Sequence, residues 1–276
     1  MTTELWGVDF SSAPTARKPV VLATGLRVGS VLRLQGLRLL PRMADFETLL
    51  AASGPWLGAF DFPFGLPKAF VLAQSLGDSA QAVITELQRR CPTRMAFRAL
   101  VDSWGNTQPA GRRLLHRRTD AAMPGISSTS PLQTRYVPVG FMYYEGFSRL
   151  VQAGVHLPGL HEGDPKRVAL EGYPGLLAHE IIGRRSYKND DSSERLLARK
   201  TLVEALEQGR TRLGIRLKLT PAQAGVHLPG LHAGDPKRVA LEGYPGLLAH
   251  EVIGRRSYKN DDSSERLLAR KTLVEA

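Results

Sequence analysis

The chain has 276 residues, of which 42% are hydrophobic and 23% charged, with one cysteine and a formal net charge of +11. That composition supports a globular core and excludes collagen-like, low-complexity and disulfide-stapled classes. No apolar run approaches the roughly 18 residues a membrane span requires, the opening MTTELWGVDFSS is not a signal peptide, and the lone Cys91 points to a reducing, cytoplasmic compartment.

The first predicted element is the apolar run 4–12 (ELWGVDFSS), which ends in an aspartate and two serines. Residues 19–25 (PVVLATG) are β-branched, and 30–40 alternates Val31, Arg33 and Gln35 against Leu32 and Leu34. Both are strand-like, and short glycine-bearing links favour an antiparallel meander. Residues 44–53 place Phe46, Leu49 and Leu50 on one helical face, and Gly54-Pro55 stops that helix. The strand WLGAFDFPFGLP (56–67) follows and ends in Asp61 and a proline turn. The expected order to this point is β-β-β-α-β.

Residues 79–90 read as a helix. The Gly-, Pro-, Ser- and Thr-rich stretch 102–138 reads as a long loop of the functional or mobile kind. Residues 141–154 read as a helix and VALEGYPG (168–175) as a strand ending in Glu171. Asp191-Ser-Ser-Glu194 has the pattern of a capping box before RLLARKTLVEALEQG.

Residues 152–205 and 223–276 align without gaps over 54 positions and differ only at Glu162 against Ala233 and Ile181 against Val252. Solenoid repeats diverge at their surfaces and need several copies. Two near-identical copies instead indicate a duplicated fragment. The expected organisation is one domain over 1–222 with 223–276 as an appendage. Val239, Leu241, Leu247 and Leu248 of the second copy would then lack a partner, which favours swapping between chains.

Asp9, Asp61 and Glu171 each stand at the expected C-terminal end of a strand, in DFSSA, DFPFG and EGYPG. Carboxylates brought together at a sheet edge need a cation to remain ionised. Hard divalent ions such as Mg²⁺ or Mn²⁺ accept an all-oxygen ligand set and can promote phosphodiester hydrolysis. Taken singly, each acidic residue reads equally well as a loop cap.

The segments WGVDFSSAP, GAFDFPFGLP, RRTDAAMPG and LEGYPGLLAHEIIGRRSYK, with the helix after them, resemble a bacterial family of predicted nucleases with a ribonuclease H-like fold (domain of unknown function 429). The resemblance covers about residues 4–219. It implies a three-layer α/β fold with a mixed sheet, and a metal-dependent nuclease site at Asp9, Asp61 and Glu171. It also implies substrate contacts from Arg118 and Asp120, which match the family's R-x-D segment, and from Tyr187 and Lys188, which match its Y-K pair. The family's final acidic helix does not follow RLGIRLKLTPAQ, where the repeated segment begins instead. Asp261 and Asp262 copy Asp190 and Asp191 and do not replace it.

Basic residues cluster in RRLLHRR (112–118), IGRRSYK (182–188) and QGRTRLGIRLKL (208–219), a distribution suited to nucleic acid or to a solvated surface. Arg117, Arg118 and Lys188 read equally as phosphate contacts or as solvated cations, whereas Tyr143, Tyr144 and Phe147 have the spacing of core residues. The histidines of VHLPGLH lack metal-site spacing. A non-catalytic nucleic-acid or protein-binding module is the alternative reading. Phosphoryl transfer is a third, although DFSSAP supplies no phosphate-binding glycines.

Overall fold

The computed structural model of the protein describes residues 3–121, 128–187 and 192–219. The second copy of the repeat, together with Lys188, Asp190 and Asp191, lies outside the described residues. In chain order the elements are β1 (Glu4–Asp9), β2 (Val20–Val28), β3 (Val31–Leu40), α1 (Met43–Leu50), β4 (Trp56–Phe60), α2 (Lys68–Ala73), α3 (Ala80–Arg90) and α4 (Arg94–Asn106). A 3₁₀ turn (Arg118–Ala121) precedes α5 (Val139–Met142), a π-turn (Tyr143–Phe147) and α6 (Ser148–Gln152). Then come β5 (Val155–His156), β6 (Asp164–Glu171), α7 (Pro174–Ile182), α8 (Ser193–Gln208) and β7 (Arg216–Lys218). The chain is α/β, and its described residues form seven strands in mixed parallel and antiparallel pairing. Among the described residues no helix is long and apolar enough to cross a membrane.

The described residues group into two compact units: those up to Asp9, Val21–Leu39 and those from Tyr173 form the first, and Phe10–Val20 with Leu40–Gly172 the second. In the first unit the strand order is β1-β2-β3-β7. β1 pairs antiparallel with β2 from Leu5↔Gly25 to Asp9↔Val21. A two-residue link, Gly29-Ser30, joins β2 to β3, and Gly29 takes φ 59°, a conformation that costs glycine nothing. β7 lies parallel to β3. Its apolar core is aliphatic: Ala178 and Ile182 of α7 pack with Ala198, Leu202, Val203 and Leu206 of α8 and with Leu217 of β7. The Ser192 hydroxyl caps α8 by accepting from the Arg195 N–H, and Gly209 ends it in the left-handed conformation.

In the second unit the order is β5-β6-β4, with both pairs parallel. Parallel neighbours require a long crossover, and the residues between β4 and β6 supply it as helices α2 to α6. Alternation explains β4: Trp56, Gly58 and Phe60 are buried, while Leu57 and Ala59 are half-buried. The period continues past the strand, and Phe60, Phe62 and Phe64 are 0%, 3% and 4% exposed. These rings, with Phe10, Phe46 and Phe147, form a chain of tilted and edge contacts at 4.8 to 6.4 Å. Such geometry is favoured by the aromatic quadrupole, and the burial supplies the main driving force.

The β-β-β-α-β opening is as expected. Three differences have local causes. The stretch expected to be a loop from 102 begins inside α4, because Phe97, Val101 and Trp104 extend a buried helical stripe through Asp102–Asn106. β6 begins earlier than expected, at Asp164, since it pairs with β5 at Val155↔Asp164 before its register with β4 starts at Trp56↔Arg167. The helix expected over 141–154 is interrupted by the π-turn, whose Gly146 lies so close to the Phe62 ring that a Cβ would sit 2.8 Å from it.

Candidate functional site

The C-terminal ends of β4 and β6 form the candidate site. Their parallel register aligns Phe60 with Glu171. The Phe60 carbonyl accepts from the Gly172 N–H at 2.7 Å and from the Phe62 N–H at 2.9 Å. The second bond makes Asp61 the central residue of a γ-turn, a common way to leave a strand. Asp61, half-buried, and Glu171 therefore follow the ends of two hydrogen-bonded parallel strands, although 110 residues separate them in sequence.

Glu171 is held from two directions. Its Oε2 accepts from the Phe64 backbone N–H at 2.8 Å and from Arg117 Nη1 at 2.8 Å, and its Oε1 accepts from Arg117 Nη2 at 2.6 Å. The same guanidinium reaches Asp120, with Nη2 to Oδ1 at 2.7 Å and Nε to both oxygens at 3.2 Å. Asp120 also accepts from the Arg117 backbone N–H at 2.7 Å and from the Ser128 hydroxyl at 2.8 Å. The Asp120 side chain is only 1% exposed and that of Arg117 14%.

Burial works against both charges of this pair. It pushes the Asp120 carboxyl up, but the hydrogen bonds from Arg117 and Ser128 outweigh it and hold the group below its ordinary value. Burial likewise disfavours the Arg117 cation, and Glu171 and Asp120 more than reverse that. Tyr143, in the π-turn, is fully buried and its phenol is raised well above the usual range against the opposing pull of the Arg117 charge.

The structure thus brings Asp120 and Glu171 together through Arg117, and sets Asp61 beside Glu171 by register. Arg118, the neighbouring arginine, is exposed at the start of the 3₁₀ turn. Asp9 ends β1 in the first unit, in register with Val21. Tyr187 is buried in the aliphatic core of that unit. Lys188 lies outside the described residues. Sequence reasoning left Arg117 as a phosphate contact or a solvated cation. The signal for its actual position was the spacing R-x-x-D, since residues three apart eclipse in a 3₁₀ turn. Sequence reasoning also passed over Arg94 and Arg98 of α4, although RMAFR carries arginines at the i and i+4 positions of a helix.

The donor chemistry of this edge suits a hard cation in part. Asp61, Asp120 and Glu171 supply carboxylate oxygens here, and Arg117 neutralises part of the charge of the latter two. A carboxylate has roughly four lone-pair sites, and Glu171 uses three of them, so Oε1 retains one for a further donor or ion. Among the described residues no group of three or more His, Cys, Asp or Glu side chains has a metal-holding arrangement. No family model matches the chain, and neither a curated protein nor a solved structure is similar to it.

Proposed function

We propose that the protein is a divalent-metal-dependent phosphodiesterase that acts on nucleic acid, built on a ribonuclease H-like three-layer fold and working in the cytoplasm. One observation supports it above the others: Asp61 and Glu171 stand at the C-terminal ends of adjacent parallel strands. Ligand chemistry in open α/β sheets concentrates at that edge. Asp61 and Glu171 would hold Mg²⁺ or Mn²⁺ through oxygen donors, and Asp9 is the further carboxylate that the sequence enlists. When bound, such an ion polarises a phosphoryl oxygen and lowers the pKa of a bound water. The protein's own part is positional. Arg117 and the Phe64 N–H fix the Glu171 carboxylate with one acceptor site left over, and Asp120 fixes Arg117. Arg118 is placed at the surface of the same segment, where a phosphate can reach it. Tyr187 and Lys188 remain substrate contacts by resemblance alone.

Cleavage of labelled single-stranded and duplex oligonucleotides by the full chain, in Mg²⁺ or Mn²⁺ against chelator, tests the proposal. Asp61→Asn and Glu171→Gln should each slow cleavage by about 100-fold or more, the scale on which lost preorganised charge registers at a reacting group. Asp9→Asn tests the third ligand. Unchanged cleavage in Asp61→Asn and Glu171→Gln would remove this edge as the site.

The second reading is a non-catalytic nucleic-acid or protein-binding module. The bidentate pairing of Glu171 with Arg117 favours it, because a glutamate already neutralised by a guanidinium has less need of an ion. Metal-independent binding without cleavage is its signature.

A further inference from the structure

Five arginines of the second unit are half-buried, and three of them, Arg117, Arg149 and Arg167, pair with carboxylates at 2.6 to 2.9 Å. Among the described residues, Arg94 and Arg98 have no such carboxylate partner. Their guanidinium carbons lie 4.6 and 5.0 Å from the centroid of one ring, Phe141. Arg94 Nη1 donates to the Ser12 carbonyl at 3.3 Å and Arg98 Nη2 to the Thr134 carbonyl at 2.6 Å. Arg98 Nε is buried and has no hydrogen-bond partner among the described residues. Both residues sit at the start of α4, whose first turn carries no acidic residue, so the helix dipole adds to the positive potential. A ring face and two neutral carbonyls orient these cations without cancelling their charge. Two like charges beside one ring repel, and an anion between them would offset that repulsion.

We propose that Arg94 and Arg98, fixed against Phe141, form a seat for a phosphate of a nucleic-acid strand. A planar guanidinium matches a phosphate with two parallel N–H donors, and positions four apart share one helix face, so that both side chains can address a single group. The occupant is a strand rather than an isolated anion because the same unit carries further exposed cations in Arg112, Arg113 and Arg118, which suit a repeating polyanion. The helix that presents Phe141 to this pair continues into the π-turn bearing Tyr143, which feels the charge of Arg117. The proposal deepens the nuclease reading by giving its substrate a place to be held, yet it is tested by binding alone, so failure of cleavage and failure of the seat are separate results.

The experiment is fluorescence anisotropy of a labelled single-stranded oligonucleotide with the full chain in chelator, across a salt series. R94Q/R98Q should weaken binding at least about tenfold and reduce the slope of log affinity against log salt by about 0.7, the value for one lost phosphate on a single strand. If circular dichroism shows the double variant unfolded, R94Q alone carries the test and should weaken binding and lower the slope by part of that amount, up to about 0.7. Affinity and slope equal to those of the unaltered chain, in a folded variant, overturn the seat. Inorganic phosphate is then titrated in at constant ionic strength. Failure to displace the strand supports the strand as occupant, whereas displacement that R94Q abolishes assigns the seat to free phosphate and overturns it.

Discussion

The spacing R-x-x-D occurs as RMAD at 42–45 and as RRTD at 117–120, and the two copies make the same local contacts. In each, the aspartate accepts from the arginine backbone N–H, at 3.1 Å for Asp45 and 2.7 Å for Asp120. In each, an arginine Nη2 reaches the aspartate at 2.6 or 2.7 Å. The surroundings differ. Arg42 is 77% exposed and begins a surface helix, whereas Arg117 is 14% exposed and reaches on to Glu171 at the end of β6. Identical local chemistry therefore does different work. At 42–45 water competes for both charges and the pair acts as a helix cap. At 117–120 neither charge can return to water without unfolding, so the pair fixes the carboxylate at the strand edge.

Removing the buried arginine should break this contrast most sharply. Arg117→Met leaves Asp120 buried without its counter-charge, and chemical denaturation should show a loss of about 3–5 kcal/mol. Asp120→Asn keeps the shape and removes the charge, for an expected loss of about 1.5–3 kcal/mol at neutral pH. Because the folded-state carboxyl of Asp120 lies below its ordinary value of 3.8, its contribution is fully present above that value and disappears as pH falls through the folded one. Denaturation from pH 7 downward should accordingly show the stability gap between Asp120→Asn and the unaltered protein holding to about pH 3.8 and narrowing below it. Ser128→Ala deletes one hydrogen bond to the same carboxylate and should cost about 1 kcal/mol. At the other copy, Asp45→Asn should leave the melting temperature within error of the unaltered chain. A large drop there would show that exposure does not decide the worth of the motif.

Much of the architecture was legible because its signals are local. Alternation in 30–40, the apolar face of 44–53 and the Gly54-Pro55 stop gave β-β-β-α-β directly. The strand-end positions of Asp61 and Glu171 were legible for the same reason. Their adjacency is a matter of register between strands far apart in sequence, which no local pattern encodes. Helix α4 was hidden because its last turn, Asp102–Asn106, leads into a run of turn-forming residues that reads as loop throughout. β7, three residues long, is too short to carry a period. Between Arg117 and Arg118, composition could not choose. The tight turn made the choice, by eclipsing positions three apart.

The π-turn at Tyr143–Phe147 gives the helix from 139 to 152 one more residue than an uninterrupted α-helix would use for the same rise. Each residue of an α-helix advances the face by about 100°. Everything after the turn, including Arg149 with its bonds to Glu145 and Glu47, is therefore rotated by that amount relative to Phe141. The helix works as a two-faced key whose cut depends on its count of teeth. Point changes within the turn leave the phase between its halves intact, while deletion of any single residue there would regularise the backbone and turn Arg149 away from its partners.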